Sequence, residues 1–444
     1  MGLLTRRSSR YKGLLVGRRE EIGTLARRSW QVVLLAAVVG VATGAGVALL
    51  ETVIIGLVDR LSELPLWIVA GAPAVGLLIT ALVLRWIGGA VSPSTADEYL
   101  KAFHDTKYPL PGRAFVARTL GAVATLGLGG AMGLEGPSIY IGANIGTRVQ
   151  QAARRFFAAD DQRVLLVAGA AAGVAAIFKA PATGAVFALE VPYQDEFARH
   201  MLIPSLVGAA SGYLTFAAFH GTDPLFPIHT APSFNYLDLL AALALGAAAG
   251  LGARLFARGL RWAKDLANRT PAWQRVTVAG AVIAILILIS QWATGAPLAF
   301  GPGYQALTWA ANPDHALWAV AVLLAVRCLA TTAVVGGGGV GGLFVPLVVA
   351  GALLGRLVGG AIHELQTSLF TVIGVAAFLG AGYRVPLAAV MFVAEATGHP
   401  GFVVPGLLAA VAAELVMGRS SVTTYQVVGQ HALGTDEEFP PVAG

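Results

Sequence analysis

The sequence predicts an all-α polytopic membrane protein, assembled from two copies of a unit made of short, tilted and broken helices. Three observations carry this. The 444-residue chain is 56% hydrophobic and only 12% charged, with a mean hydropathy of +0.72. An ordinary soluble domain carries about 25% charged residues, so the outer solvent of this core is bilayer. Apolar stretches recur and are interrupted by Gly or Pro, and two Gly-Pro templates return later in the chain in the same order.

The stretches run over residues 32–50, 66–84, 164–189, 202–219, 237–256, 276–292, 316–335, 344–362 and 402–416. A spanning helix takes about 20 residues, so several of these are at or below full length. The first is preceded by Arg6, Arg7, Arg10, Lys12, Arg18, Arg19, Arg27 and Arg28. That cluster accounts for the +6 net charge and is no nucleic-acid signal; it places the N-terminus in the cytoplasm and anchors it to anionic lipid. The apolar run after it is too long for a cleaved signal peptide and lacks a cleavage site. Cys328 is the single cysteine, which rules out an intrachain disulfide or a cysteine metal cluster. The eight histidines have no ligand spacing, and no Gly-x-Ser-x-Gly elbow is present, so neither a metal, a cofactor nor an enzymatic centre is expected.

The first template is Gly133-Leu-Glu-Gly-Pro137, continuing to Gly142 and Gly146; the second is Gly342-Leu-Phe-Val-Pro346, continuing to Gly351 and Gly355. Both read G-x3-P-x4-G-x3-G. Gly169, Lys179, Pro181, Phe187 and Glu190 then match Gly374, Arg384, Pro386, Phe392 and Glu395. The displacements, 209 and 205 residues, are nearly one offset, which argues for duplication of about 200 residues. The organisation that follows is a basic segment (1–29), a first membrane repeat (30–220), a linker (221–236) rich in Gly and Pro, a second repeat (237–427) and a short cytoplasmic tail (428–444). Whether the repeats are parallel or inverted depends on the number of crossings in each, which spacing leaves open.

A Gly-Pro turn that enters an apolar helix leaves the first backbone N–H groups without intrahelical partners, and the helix dipole there favours a negative charge. In hydrocarbon an anion meets both demands. Glu135 lies inside the first such turn, where its carboxylate competes for the anion position; the opposing reading is a carboxylate that only satisfies local N–H groups. A carboxylate at membrane depth is a functional residue by default, which favours the gate. Glu190 and Glu395 read instead as helix-end hydrogen-bonding or ion-pairing groups, and Arg327 as a partner for a buried carboxylate or carbonyls.

These residues resemble the CLC family of chloride channels and chloride/proton exchangers from the first apolar span to about Tyr425. Gly133-Leu-Glu-Gly-Pro137 is similar to its GxEGP signature and Gly342-Leu-Phe-Val-Pro346 to its GxFxP signature, with Phe178-Lys-Ala-Pro181 and Phe187-Ala-Leu-Glu190 following in order. The resemblance implies two inverted repeats, a homodimer with one pore per subunit, and Glu135 as the gating glutamate. It implies chloride contacts from the backbone around Leu134 and Gly136 and at Leu343, Phe344 and Val345. A plasma (inner) membrane location and a prokaryotic-type member without cytoplasmic CBS domains are expected, since only a short polar segment follows Tyr425.

Three departures shape the functional expectation. The family's GSGxP segment falls near Val91-Ser-Pro-Ser-Thr95, making Ser92 the chloride-contacting hydroxyl, with Ser94 one register shift away. Ser94 and Thr95 also have a competing role as helix caps, because Asp97 and Glu98 follow at capping-box spacing. The inner-gate tyrosine corresponds to Tyr425, whereas anchoring on Gln426-Val427 puts Thr423 there. Finally, Val191 stands where exchangers usually carry an internal proton glutamate. Valine holds no proton, so a chloride channel gated by Glu135 is expected; the alternative is a chloride/proton antiporter without that glutamate, or a fluoride-selective variant.

Overall fold

The computed structural model describes residues 2–154, 163–194, 196–226, 232–362 and 367–428, with side chains from Trp30 onward except at Thr367. The side chains of the basic N-terminal segment, Pro227 in the linker and nearly all of the tail therefore lie outside the described residues. Sixteen α-helices occur among the described residues, with two isolated β-bridges in place of a sheet. The first eight are α1 (Gly2–Ser62), α2 (Leu66–Trp86), α3 (Ala96–His104), α4 (Gly112–Gly127), α5 (Glu135–Ala152), α6 (Val164–Phe178), α7 (Pro181–Glu190) and α8 (Leu202–His220). The second eight are α9 (Tyr236–Arg269), α10 (Ala272–Thr294), α11 (Tyr304–Ala311), α12 (Leu317–Gly336), α13 (Phe344–Ala361), α14 (Thr367–Tyr383), α15 (Pro386–Thr397) and α16 (Val403–Met417).

Eight of these helices are long and apolar enough to span a bilayer, and α6, α14 and α15 are shorter apolar helices. The protein is thus a multi-pass membrane protein of broken helices, as its composition requires. Where the sequence suggests one stretch over 164–189, the chain breaks into α6 and α7. Lys179 adopts the left-handed conformation (φ 52°) and Pro181 opens the next helix. Arg384 (φ 58°) and Pro386 repeat that break between α14 and α15. A left-handed residue closes a helix and a first-turn Pro starts one, so the matched Lys-x-Pro and Arg-x-Pro spacings encode the same corner.

α4, which the apolar stretches omit, carries Arg118 buried within it. That charge interrupts the hydropathy but is satisfied internally, by Glu98 at 2.9 Å, the Ser92 carbonyl at 2.9 Å and the Tyr140 hydroxyl at 2.7 Å. Arg327 on α12 is held by the carbonyls of Leu298, Gly301 and Pro302, at 3.2, 2.9 and 2.7 Å.

The matched glycines of both templates are packing surfaces. A methyl at Gly142 would overlap the Gly169 carbonyl, and one at Gly146 the Leu165 carbonyl; Gly351 and Gly355 stand in the same relation to Gly374 and Phe370. Each repeat therefore seats its signature helix on the next helix backbone to backbone, the close approach that small residues permit in membranes.

The direction of the repeats follows from two carboxylates. Glu190, ending α7, accepts from the amides of Leu387 (3.1 Å) and Ala388 (2.9 Å) in the first turn of α15. Glu395, near the end of α15, accepts from Ala182 (2.9 Å), Thr183 (2.7 Å) and the Thr183 hydroxyl (2.6 Å) in the first turn of α7. Each helix ends where its counterpart begins, so corresponding helices are antiparallel and the repeats are inverted.

Candidate functional site

The two signature turns meet at the centre of the fold. Gly133 donates to the Gly342 carbonyl at 2.9 Å and Gly342 donates back at 2.7 Å, an antiparallel bridge of one residue from each repeat. Immediately beyond it α5 begins at Glu135 and α13 at Phe344, with Pro137 and Pro346 in their first turns. Neither Leu134 nor Leu343 caps its helix through a side chain, so the first-turn donors of both helices are left to partners from elsewhere. Their positive dipole ends face a common point.

Glu135 occupies that point. Its side chain is fully buried, and Oε1 accepts from the Phe344 amide at 2.5 Å, with its own amide and that of Val345 also directed at the carboxylate. Oε2 has no hydrogen-bond partner among the described residues. The carboxylate thus stands where a small anion would satisfy the same donors. Gly133 and Gly342 leave the necessary room, since a methyl on either would overlap the carboxylate.

The Phe344 amide is aimed by its ring. The ring stacks on Phe178 with centroids 4.2 Å apart and meets Phe392, Phe187 and Tyr383 at 4.9, 5.6 and 6.4 Å. These four residues come from the matched corners at Lys179 and Arg384 and the helices that flank them, two from each repeat, which is why both halves of the duplication are needed to fix one amide.

On one side of Glu135 lies a cavity of about 320 Å³, whose wall includes Ser92, Ser94, Thr95, Leu343, Tyr383, Thr423 and Tyr425. Lys101, Lys264 and Arg275 also line it, against Asp97 and Asp265. Asp97 pairs with Lys264 at 3.2 Å. Of the residues expected at the site, Ser92, Leu343 and Tyr425 line this cavity, while Leu134, Gly136, Phe344 and Val345 lie at the two helix starts, and they differ in what each offers. The Ser92 hydroxyl accepts from the Ser94 amide at 3.2 Å, and the Ser94 hydroxyl donates to Asp97 at 3.3 Å. Thr95 precedes α3 without capping it; its hydroxyl donates to the Gly341 carbonyl at 3.4 Å and lies against Gly136. Thr95 is thus the hydroxyl of this segment nearest the bridged turns.

Tyr425 is 38% exposed and has the Lys101 ammonium 4.6 Å from its ring centre. Thr423 is buried and its hydroxyl is taken up by Ser421 at 3.1 Å. The tyrosine that reaches the signature turn is Tyr383, whose hydroxyl accepts from the Leu343 amide at 3.4 Å. Sequence reasoning passed over it, although it stands immediately before Arg384 in the second repeat, where Phe178 precedes the matched Lys179 in the first.

Val191 is buried, and its carbonyl accepts from the Gln426 side-chain Nε2 at 3.0 Å. The neighbouring Glu190 carboxylate is committed to the start of α15. Among the described residues no cluster of His, Cys, Asp or Glu has the form of a metal site.

The family model described as voltage gated chloride channel matches residues 75–418 of this chain. A putative chloride channel protein, ClcB-like, from Ralstonia nicotianae is 28% identical over 369 residues, covering 80% of this chain and 84% of that protein. An H(+)/Cl(-) exchange transporter, ClcA, from Salmonella typhi is 26% identical over 426 residues, covering 90% and 88%. Among solved structures, a slow cyanobacterial Cl-/H+ antiporter superposes with a TM-score of 0.78 at 22% identity, covering 87% of this chain and 94% of that one. A CLC-type fluoride/proton antiporter gives a TM-score of 0.78 at 21% identity, with coverages of 90% and 98%. Both likenesses establish the fold.

Proposed function

The chain belongs to the voltage-gated chloride channel family, and on that premise we propose that it exchanges chloride for protons, with Glu135 serving both as occupant of the anion site and as proton carrier. The observation that carries this reading is the Glu135 carboxylate bound by the Phe344 amide at the junction of two helix N-termini. A deprotonated Glu135 holds the donors that an anion needs. Protonation removes its charge, releases the donors and lets the anion enter, so proton and anion occupancy are linked at one point. The hydroxyls of Thr95, Ser92 and Tyr383 and the amides of Leu343, Phe344 and Val345 complete the proposed pathway, with Tyr425 at the wall of its cavity.

The expectation of a channel gives way here to its alternative. Relatives over most of the chain bear exchanger names, and a fold neighbour is titled an antiporter. Val191 still supports the channel reading, because no carboxylate at that position is available to pass a proton. In the exchanger reading the proton bypasses position 191 through water in the cavity beside Asp97. With the basic N-terminus in the cytoplasm of a bacterial plasma membrane, α1 starts inside, and the cavity of Ser92 and Tyr425 is the inner one. The homodimer implied by the family resemblance belongs to the same proposal, and cross-linking in membranes tests it.

The functional test is chloride-driven proton movement in proteoliposomes. Uphill proton movement in fixed ratio to chloride supports exchange; chloride flux without proton movement establishes the channel instead. Glu135→Gln, which mimics the protonated form, is expected to abolish proton movement and most of the pH dependence of chloride flux.

A further inference from the structure

A second cavity, about 640 Å³, lies at the other end of α14 from the first: Ser368 lines it, whereas Tyr383, about 22 Å along the same helix, lines the first. Its wall includes Glu51, Lys179, Tyr304, Thr308 and Thr397. Glu51 lies on α1, 21 residues past Trp30, so in the orientation proposed above it stands near the outer end of that helix.

An ionisable side chain on the wall of a membrane cavity marks an ion or proton route by default. The groups facing Glu51 come from every neighbouring element. His220, closing α8, has Nε2 3.5 Å from the Glu51 carboxylate and 3.1 Å from the Thr52 hydroxyl. Lys179, at the corner after α6, donates to the His220 carbonyl at 2.9 Å. Tyr304, opening α11, lines the same cavity as Glu51, and Ile177 and Lys179 in its wall flank Phe178, whose ring stacks on Phe344 beside Glu135. Among the described residues His220 Nδ1 and the Tyr304 hydroxyl have no hydrogen-bond partner here, nor has Glu135 Oε2 at the bridged turns. Unpaired buried polar atoms of mixed donor and acceptor character are satisfied by water, and a cavity of this size admits it.

We propose that Glu51 is an outer proton station for Glu135, linked to it through the Tyr304 hydroxyl and water in this cavity, with His220 and Lys179 holding its charge. The step is proton exchange only: a proton from outside binds Glu51, an equivalent proton passes along the hydrogen-bonded chain to Glu135 Oε2, and no covalent bond to carbon forms or breaks. A negative Glu51 also disfavours an anion at this wall, which sets this proton route beside the anion path rather than on it. The proposal rests on the exchange reading above.

The test measures proton and chloride fluxes of the full-length protein in liposomes as external pH is varied, for the wild type, Glu51→Gln, Glu51→Asp and Tyr304→Phe. Glu51→Gln is expected to lower proton flux relative to chloride flux by about a hundredfold, the lower end of what a positioned proton donor contributes, with Glu51→Asp restoring much of it. Tyr304→Phe shifts the ratio in the same direction and serves where Glu51→Gln does not fold. A proton-to-chloride ratio unchanged in Tyr304→Phe and in folded Glu51→Gln overturns the station while leaving exchange intact. Absence of chloride-driven proton movement in the wild type overturns both.

Discussion

Gly133 and Gly342 exchange two backbone hydrogen bonds, at 2.9 and 2.7 Å, and this pair ties the two repeats together at the site itself. Each glycine precedes a helix N-terminus by two residues, so the bridge sets the distance between the donors of α5 and those of α13. The two positions differ in what a side chain would meet. At Gly342 a methyl would overlap Glu135 and also lie 2.6 Å from the Gly136 nitrogen, which is backbone. At Gly133 the three nearest atoms all belong to the Glu135 carboxylate, which can swing away. Gly133→Ala is therefore expected to displace the carboxylate without breaking the bridge. Chloride flux near neutral pH should rise, and proton coupling should weaken. In Glu135→Gln the same substitution should add little, because both changes act on one interaction. Additive effects of the two would separate Gly133 from the gate.

The reciprocal caps of Glu190 and Glu395 give a prediction about stability rather than transport. Each carboxylate satisfies first-turn amides of the partner helix inside the membrane. Removing an acceptor leaves buried donors unpaired, at about 1–3 kcal/mol per group. Glu190→Ala and Glu395→Ala should therefore lower the thermal stability of the detergent-solubilised protein markedly. Glu→Gln at either position keeps one acceptor oxygen and should lose less. The proton-to-chloride ratio of the folded fraction should stay at the wild-type value in all four variants. A changed ratio in Glu190→Gln would make Glu190 part of the proton route.

Much of this architecture was legible in the sequence because the repeat encodes geometry directly. The matched Gly142 and Gly351 are close-approach surfaces, the matched Lys179 and Arg384 are left-handed corners, and the matched Pro181 and Pro386 start helices. Glu135 and Phe344 were legible for the same reason, each being fixed by its own Gly-Pro turn. Other parts depend on contacts that spacing does not carry. The break at Lys179 is invisible to hydropathy, since both sides of it are apolar, and α4 is hidden by the internally paired Arg118. Thr95 reaches Gly341 across the fold from a segment with no spacing relation to it, and Tyr383, although it stands at a matched corner, gains its role only from its contact with Leu343. Glu51 lies within an ordinary apolar helix and gains meaning only from Tyr304 and His220.

The glycine contacts separate packing from flexibility. Gly146 on α5 faces the Leu165 carbonyl so closely that a methyl would overlap it, and the obstacle is backbone, which cannot turn aside. Gly71 on α2 has nothing among the described residues within 4 Å of an added methyl. Gly146→Ala should push α5 from α6 and cost about 1–3 kcal/mol or more, as overpacking does. Gly71→Ala should be neutral or stabilise by about 0.5–1 kcal/mol through helix propensity. Thermal unfolding followed by size exclusion checks both, and equal effects would show that the signature helix is not seated by its glycines.

Tyr383 and Tyr425 both line the cavity of Ser92 but are expected to contribute unequally to anion binding. Tyr383 is buried, its ring lies 6.4 Å from that of Phe344, and its hydroxyl accepts from the Leu343 amide. When that hydroxyl turns its proton toward the cavity it adds a neutral donor beside the Phe344 amide. Tyr425 is partly exposed and engaged by Lys101 through its ring face. Tyr383→Phe removes the donor while keeping the ring, so anion affinity should fall about tenfold, the equivalent of one hydrogen bond of about 1.4 kcal/mol. Tyr425→Phe should change affinity little. Isothermal titration with chloride in the Glu135→Gln background reads binding without competition from the carboxylate. A larger loss in Tyr425→Phe than in Tyr383→Phe would return the pathway tyrosine to position 425.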